Sequence, residues 1–262
     1  MFPREHTSAS QLSTYARCPR QYELRYLLDA PSEFTSVSLV VGSVFHAAVS
    51  YWFEQKLVGK RPGTEEINTI VAADFAAATT DTTVRWGKWT PGDLQEHTRR
   101  LVWAGLSRFG ELPVSQTDVR FTMELHDHET GEVLPRHLLG YFDLVLDDGT
   151  VIELKTARAE YKPMDVATSI QFGAYLMAVE ELKLSKGLDL IVAVKNKTPR
   201  FQQLRISPSA RSERRFLATA TAIERAIEAG HFPPSPGWTC GGCEFQRRCL
   251  GAIEEDVQAH AA

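Results

Sequence analysis

Long hydrophobic runs are absent from this chain of 262 residues. The most apolar stretch, Ser38 to Phe53, is interrupted by Gly42, by serines and by His46. It is too short and too polar to predict a membrane-spanning helix. The N-terminal segment is charged and lacks an apolar signal region, so we expect no secretory signal and a cytoplasmic location.

Excess charge of one sign and cysteine are also scarce. The chain has 29 Lys and Arg against 33 Asp and Glu, a formal net charge of -4, which excludes a globally basic nucleic-acid coat. A polyanionic partner would have to meet a local basic patch or bound metal ions. Only four cysteines are present, and in a reducing cytoplasm they are expected to be metal ligands rather than disulfides. No Gly-x-x-x-x-Gly-Lys-Ser/Thr loop occurs, which excludes an ATP-driven motor in this chain.

The composition, 43% hydrophobic and 24% charged, is that of a folded globular protein. Hydrophobic periodicity predicts an α/β core with a helical N-terminal insertion. Helices are predicted over 10–28, 42–58, 64–80, 91–112 and 164–184, and over a last segment that is capped by Ser207 or Ser209 and ends near 229. Strands are predicted over 119–125, 138–146, 150–155, 188–194 and 201–206.

The candidate catalytic residues lie on the predicted hairpin around the turn 147–149. Asp143 ends the segment before this turn, and Glu153 and Lys155 follow it. Residues two apart on a strand point to the same face, so two carboxylates and one ammonium are expected to converge on one face of a sheet. The same spacing is also typical of solvated strand residues with a cross-strand ion pair.

Two neighbouring carboxylates repel each other unless a cation joins them, and Mg²⁺ or Mn²⁺ prefers oxygen ligands. The Leu154 backbone carbonyl is a candidate further ligand. Such a metal would activate water, and Lys155 would stabilise developing charge, which is the equipment for hydrolysing a phosphodiester.

Three residues elsewhere in the chain support this hypothesis. His46 lies on an otherwise apolar helix, where it is either a packed core residue or a metal ligand. Gln171 and Tyr175 are four residues apart on the helix that follows Lys155, so they share a face. Core packing would account for Tyr175 but not for a buried Gln171.

The four cysteines stand at opposite ends of the chain, Cys18 near one end and Cys240, Cys243 and Cys249 near the other. Four thiolates suit Zn²⁺ or an iron–sulfur cluster on spacing alone. Alternatively, Cys18 is a buried apolar residue and the other three form a partial zinc knuckle with His231.

The order of these motifs resembles the RecB-like branch of the PD-(D/E)XK nucleases. The resemblance rests on the run from Ser8 to Tyr22, on Gly42 to His46, on Gly140 to Asp143, on Glu153 to Thr156, and on Gln171 to Tyr175. With its cysteines, the chain is similar to the AddB nuclease domain and the CRISPR-associated Cas-four-type exonucleases.

The resemblance implies a PD-(D/E)XK nuclease core, with a central mixed β-sheet flanked by helices and a C-terminal Cys-rich cluster-binding tail. It implies one nuclease domain over 1–262, with a helical insertion over about 47–112, and an iron–sulfur lobe formed by 1–30 and 231–262. The insertion carries no motif that we can interpret.

The resemblance also implies roles for the site residues. His46, Asp143 and Glu153 would bind one or two divalent metals, and Lys155 would be the catalytic lysine. The DNA strand would be held by Gln171 and Tyr175. The four cysteines would ligate a [4Fe–4S] cluster. Pro is absent before Asp143, where Phe142 stands instead.

We therefore expect a Mg²⁺- or Mn²⁺-dependent DNA exonuclease that acts on single-stranded ends in recombination, repair or phage DNA processing, with a helicase or a recombination or CRISPR protein as a possible partner. The rivals are a structure-specific or restriction-like endonuclease and a non-catalytic DNA-binding scaffold. Additional DNA contacts are expected from basic and aromatic residues, namely Arg17, Arg20, Lys195, Lys197 and Arg200, with Tyr15, Tyr22 or Trp238 for stacking. Taken singly, each of these residues is also typical of a solvated surface charge or of a ring in the core.

Overall fold

The computed structural model describes residues 5–184 and 187–251. The ends of the predicted iron–sulfur lobe, residues 1–4 and 252–262, lie outside the described residues.

A mixed sheet forms the centre of the fold. Its strands are β1 (His6–Thr7), β4 (Val114–Met123), β5 (His137–Leu146), β6 (Val151–Ala157), β7 (Leu188–Val194) and β8 (Arg200–Ile206). The order is β1-β5-β6-β7-β8, and β4 pairs with β5. The β6–β7 pair is parallel, and the β4–β5, β5–β6 and β7–β8 pairs are antiparallel. The α/β prediction with a mixed central sheet is confirmed.

Helices cover both faces of this sheet. They are α1 (Ala9–Arg17), α2 (Pro19–Tyr22), α3 (Val37–Leu57), α4 (Thr64–Thr80), α5 (Pro91–Phe109), α6 (Pro163–Ala167), α7 (Ile170–Glu181), α8 (Ala210–Glu228) and α9 (Gln246–Leu250). Apolar residues of α1, α7 and α8 form one core against the sheet. Those of α3, α4 and α5 form a second core that includes sheet residues Leu144, Ile152 and Leu154. The sheet is therefore the middle of three layers.

Two predicted helices are divided in the structure. The first, predicted over 10–28, restarts at Pro19 and ends in a π-helical turn at Glu23–Leu27, since proline fits the first turn of a helix but not its interior. The helix predicted over 164–184 breaks between α6 and α7, because the Ser169 hydroxyl accepts the Phe172 N–H and begins a new helix. The N-cap of α4 is Gly63, one residue before Thr64.

Two short strand pairings were not predicted from the sequence. Strand β1 pairs with β5, and β2 (Thr35–Ser36) pairs with β3 (Val84–Arg85). Strands of two residues carry no readable alternation, so the sequence gives no signal for them.

Among the described residues, one helix, α3, is long and apolar enough to cross a membrane by length and composition. A core helix passes the same test, and α3 has this setting. Its buried residues, among them Val44, Phe45 and Trp52, pack in the second core against α4, α5 and the sheet.

Candidate active site

Strand β5 changes phase at Asp143. Phe142 packs in the core on one face of the sheet and Leu144 packs in the core on the other, whereas residues two apart on a regular strand share a face. Opposite this point on β4, Asp118 has a positive φ of 49°. Because of this irregularity, the Asp143 side chain does not follow the alternation of side chains between the two faces of a regular strand.

Strands β5 and β6 also diverge at this point. Their pairing consists of Leu144 with Ile152 and Val145 with Val151, and it stops one residue short of Asp143 and Glu153. The Leu154 N–H donates instead to Asp143 Oδ2, at 2.6 Å. The carboxylate thus takes the place of a strand partner and is held at the fork between the two strands. A role for the Leu154 carbonyl as a metal ligand stays a prediction.

Glu153 and Lys155 lie side by side on β6, as predicted. The Lys155 ammonium donates to Glu153 Oε1, and Gln171 Nε2 on α7 donates to the same oxygen at 2.9 Å. The Glu153 residue is only 2% exposed, and its other oxygen, Oε2, is buried without a hydrogen-bond partner in the described part of the chain. An orphaned carboxylate oxygen at this depth is costly unless a cation or donor joins it.

His46 reaches the site from α3 on the other side of the sheet. Its Nδ1 lies 3.4 Å from Asp143 Oδ1, and about a third of its side chain is exposed (32%). The structure therefore brings together His46, Asp143, Glu153 and Lys155, with Gln171 behind them.

The electrostatics show how closely these groups interact. Burial and the Asp143 charge raise the pKa of Glu153 to about 8 in the metal-free protein, against the opposing charge of Lys155. Burial alone would lower the pKa of Lys155, but the negative charge and hydrogen bond of Glu153 outweigh burial and raise it. Burial likewise opposes protonation of His46, and Asp143 reverses the effect, so the His46 pKa is raised.

We expect the metal-free protein to lose stability as pH rises from about 5 to 8. A Glu carboxyl has an ordinary pKa of 4.5, whereas folded Glu153 keeps its proton to about pH 8. In that window the folded state binds the extra proton, so the free energy of unfolding falls by up to about 1.4 kcal/mol per pH unit and levels off above the folded pKa. Urea unfolding in EDTA at a series of pH values measures this slope.

The control for this prediction is Glu153→Gln. The variant keeps the side-chain shape but removes the carboxyl, so its stability should fall less steeply with pH. His46, whose raised pKa acts in the same direction, is present in both proteins. Parallel pH profiles for the two proteins would contradict the expected ionisation of Glu153.

The two residues predicted to hold DNA from α7 lie behind the Glu153 carboxylate. Gln171 bonds to Glu153, and Tyr175 is only 8% exposed, with its ring edge-on to Phe121 and Phe142 at 5.6 Å. Burial and the Glu153 charge raise the Tyr175 pKa, while a hydrogen bond with Gln171 opposes the rise. In this structure Gln171 orients Glu153, and a contact of Gln171 or Tyr175 with DNA stays a prediction.

Two other DNA-contact predictions need correction. Tyr22 is 1% exposed, stacks on Phe232 and accepts from Arg136, so its ring belongs to the core and cannot stack on a base. Tyr15 is buried in the same way. Arg20 forms an ion pair with Glu23 one turn along the helix, and a DNA contact by Arg20 stays a prediction. Trp238, by contrast, is 94% exposed.

The four cysteines are brought together although more than 200 residues separate Cys18 from the others. Cys18, Cys240, Cys243 and Cys249 line one small cavity, and all four are free thiols. Burial raises the pKa of the Cys243 and Cys249 thiols, and neighbouring cysteines add to the rise.

Polar contacts fasten the two ends of the chain beside this cavity. Glu244 accepts from Gln21 at 3.1 Å and forms an ion pair with Arg25. His231, the alternative fourth ligand, is absent from the lining of the cavity, and its backbone carbonyl accepts the Tyr15 hydroxyl.

Within residues 5–184 and 187–251, no group of three or more His, Cys, Asp or Glu side chains is already arranged to hold a metal ion. The donor chemistry nevertheless fits. At the strand fork, the orphaned Glu153 Oε2 lies near the Asp143 carboxylate, and these oxygens suit Mg²⁺ or Mn²⁺. At the other cavity, four thiols are the donor set of a zinc ion or an iron–sulfur cluster.

Comparison with known proteins agrees with this geometry. A family model described as the PD-(D/E)XK nuclease superfamily matches residues 6–250. The chain therefore belongs to the PD-(D/E)XK nuclease superfamily. No curated protein sequence matches the chain.

Two solved structures are similar in fold. A crystal structure of a candidate exonuclease from Eubacterium rectale superposes with a TM-score of 0.56 at 13% identity, covering 98% of this chain and 91% of that one. A structure of the protein SSO0001 has a TM-score of 0.39 at 13% identity over 89% of this chain and 95% of its own, which is too distant to carry an argument. The first likeness establishes a shared fold.

Family membership makes this protein a metal-dependent nuclease of the hydrolase class with DNA as its substrate. The sequence prediction of the superfamily is thereby confirmed. The family match does not distinguish the RecB-like iron–sulfur branch, which stays a prediction.

Proposed function

We propose that the protein is an exonuclease that hydrolyses phosphodiester bonds at single-stranded DNA ends with Mg²⁺ or Mn²⁺. The observation that carries the proposal is the convergence of Asp143, Glu153, Lys155 and His46 where β5 and β6 diverge. A purely structural cluster has no need of an orphaned buried carboxylate oxygen.

The residues divide the work by charge. Lys155 has a raised pKa and stays protonated, so it stabilises negative charge on the attacked phosphate rather than taking a proton from water. Asp143 and Glu153 supply the oxygens, and His46 the imidazole nitrogen, that would hold the divalent cation. When bound, this cation lowers the pKa of a water and offsets charge on the phosphate. Gln171 keeps Glu153 Oε1 in place through its 2.9 Å hydrogen bond.

The reaction itself is a hydrolysis. A water oxygen forms a bond to phosphorus and releases a proton, the bond from phosphorus to one sugar oxygen breaks, and that sugar oxygen takes up a proton.

We further propose that Cys18, Cys240, Cys243 and Cys249 hold a [4Fe–4S] cluster, as in the RecB-like branch. Support comes from their common cavity and from the way Glu244 joins the C-terminal tail to the N-terminal helices. A bound cluster would join the two ends of the chain through its bonds to the cysteines. Such a link stabilises the fold because metal binding is then coupled to folding. Free thiols ligating metal are consistent with action in the cytoplasm.

Digestion of matched linear and circular single strands tests the exonuclease proposal. With Mn²⁺, a linear strand labelled at either end should be degraded while a circle of the same sequence stays whole over the same period. Comparison of the two labels gives the polarity. Cutting of the circle would establish an endonuclease instead, and binding without digestion of either strand would establish a scaffold.

A further inference from the structure

A cationic cleft of about 770 Å³ lies between the first turn of α3, helix α5 and the ends of β6 and β7. Its basic residues come from the helical insertion and from the nuclease core. The insertion contributes Lys88 and Arg100, and the core contributes Arg158, Lys195 and Lys197. The sequence of the insertion carries no interpretable motif, but the structure shows that the insertion lines this cleft.

The charges of the cleft are poorly balanced. Its five cations face two acids, Asp93 and Glu96. Glu96 is shared between Arg99 at 2.7 Å and the cleft residue Arg100 at 3.7 Å, and Asp93 accepts the Thr90 hydroxyl at 2.7 Å.

Three of the cations have no acidic partner in the part of the chain that the structure describes. Across residues 5–184 and 187–251, no ion pair engages Arg158, Lys195 or Lys197. Burial lowers the pKa of Lys195, and the positive charge of Arg158 lowers it further. An anion in the cleft would relieve this repulsion.

A second observation points to a missing ligand in the same place. His97 lines the cleft, is 3% exposed, and has no hydrogen-bond partner for Nε2 among the described residues. Burial, Arg100 and Lys195 lower the His97 pKa, so the ring is neutral at pH 7. Its neighbour Trp89 lies 5.0 Å away between ring centroids and also lines the cleft. A buried polar atom without a partner calls for an explanation, and a bound ligand or an ordered water at the edge of the cleft is one.

Short stretches of chain connect the lining of the cleft to Lys155 and His46. Arg158 comes three residues after Lys155, about 10 Å along an extended chain. The Lys195 N–H donates to the Ala157 carbonyl at 2.8 Å, which ties the end of β7 to the same strand. On the opposite wall, Val41 precedes His46 by little more than one helical turn.

We propose that this cleft binds the single strand next to the phosphate that is cleaved. Arg158 and Lys195 contact backbone phosphates, Trp89 stacks on a base, and His97 Nε2 hydrogen bonds to the same nucleotide. The proposal rests on the proposed function, because it assigns the path of that substrate. Phosphate contacts and aromatic stacking together are the usual means of holding a single strand without sequence preference.

Fluorescence anisotropy with a labelled 15-nucleotide oligo-dT strand in EDTA tests the cationic half of the cleft. The charge variant is Arg158→Gln with Lys195→Gln, and the matched control is Arg211→Gln with Arg215→Gln on α8. Helix α8 packs on the opposite face of the sheet, so the control makes the same change in net charge away from the cleft.

We expect the cleft variant to bind at least tenfold more weakly and the control to bind within twofold of the wild type. The slope of log affinity against log salt should fall by about 1.4, since each lost phosphate contact to a single strand removes about 0.7. In Mn²⁺, KM should rise while kcat changes less than threefold. Equal affinity and slope in the cleft variant and the control would overturn the proposal.

His97→Phe tests the neutral half. The change removes Nε2 but keeps an aromatic ring, and it removes an unpaired buried polar atom, so the melting temperature should be kept or raised. We expect binding about fivefold weaker with an unchanged salt slope, because no charge is lost. Wild-type affinity in this variant would exclude a nucleotide contact by His97.

The design separates the two proposals. If the wild type binds the strand through the cleft but does not cleave it in Mn²⁺, the exonuclease proposal fails and the cleft is supported. If it cleaves linear strands while the cleft variant keeps wild-type affinity and KM, the cleft proposal fails and the exonuclease is supported.

Discussion

Lys155→Gln should reduce cleavage of a linear single strand in Mn²⁺ by about 10² to 10³ or more without unfolding the protein. Lys155 is protonated and donates a hydrogen bond to Glu153. Removal of one such electrostatic group from an active site costs about this factor in rate. The loss should fall on kcat, because Lys155 acts on charge that develops during the reaction. Single-turnover digestion of an end-labelled strand measures it.

A matched control for this prediction is Lys60→Gln. Lys60 is an exposed residue in the loop between α3 and α4, so the same change there should leave cleavage at the wild-type rate. Thermal melting of both variants establishes that they are folded, and binding in EDTA establishes that Lys155→Gln still engages DNA. Undiminished cleavage by folded Lys155→Gln would remove the chemical basis of the proposed function.

Cys18→Ser should bleach the protein and lower its melting temperature by about 10 °C. Cys18 is the only one of the four cavity thiols that comes from the N-terminal end of the chain. Its loss would therefore remove the link between the two ends. A loss of about 3 kcal/mol or more in a chain of this size corresponds to a shift of that order. Absorption spectra, iron analysis and calorimetry on protein purified without oxygen measure the effect.

The control for the cysteine prediction is Ser235→Ala. Ser235 lines the same cavity and contacts the Cys18 sulfur through its backbone N–H at 3.4 Å, a contact that alanine keeps. This variant should keep the colour and the wild-type melting temperature. Zinc in place of iron in colourless wild-type protein would reject the cluster and retain a structural metal site.

The geometry of the proposed catalytic set was predictable where local periodicity governs it. Glu153 and Lys155 share a face because side chains alternate along a strand, and the turn at 147–149 brings Asp143 back toward them. The phase change at Asp143 has no signal in the sequence, yet it turns that carboxylate to meet the Leu154 N–H and His46.

Aromatic and polar residues of helices were harder to assign. Tyr22 occurs in a run that resembles a nuclease motif, but Arg136 and Phe232 reach it from distant segments and make it a core residue. The sequence did not mark His97 or Trp89 as candidate binding residues. A single histidine or tryptophan does not predict a binding site, and only the fold places cationic residues around these two.

The sequence by itself determined the superfamily and the mixed α/β class, and it supplied the acids, lysine, histidine and cysteines of the proposed sites, since these depend on residue type and on short-range spacing. Only the tertiary structure decided which oxygen of Glu153 is left without a partner, which tyrosines are inaccessible, and that the insertion forms a basic cleft with the nuclease core. Those properties depend on contacts between residues far apart in the chain, and such contacts are set by packing of the three layers rather than by local pattern.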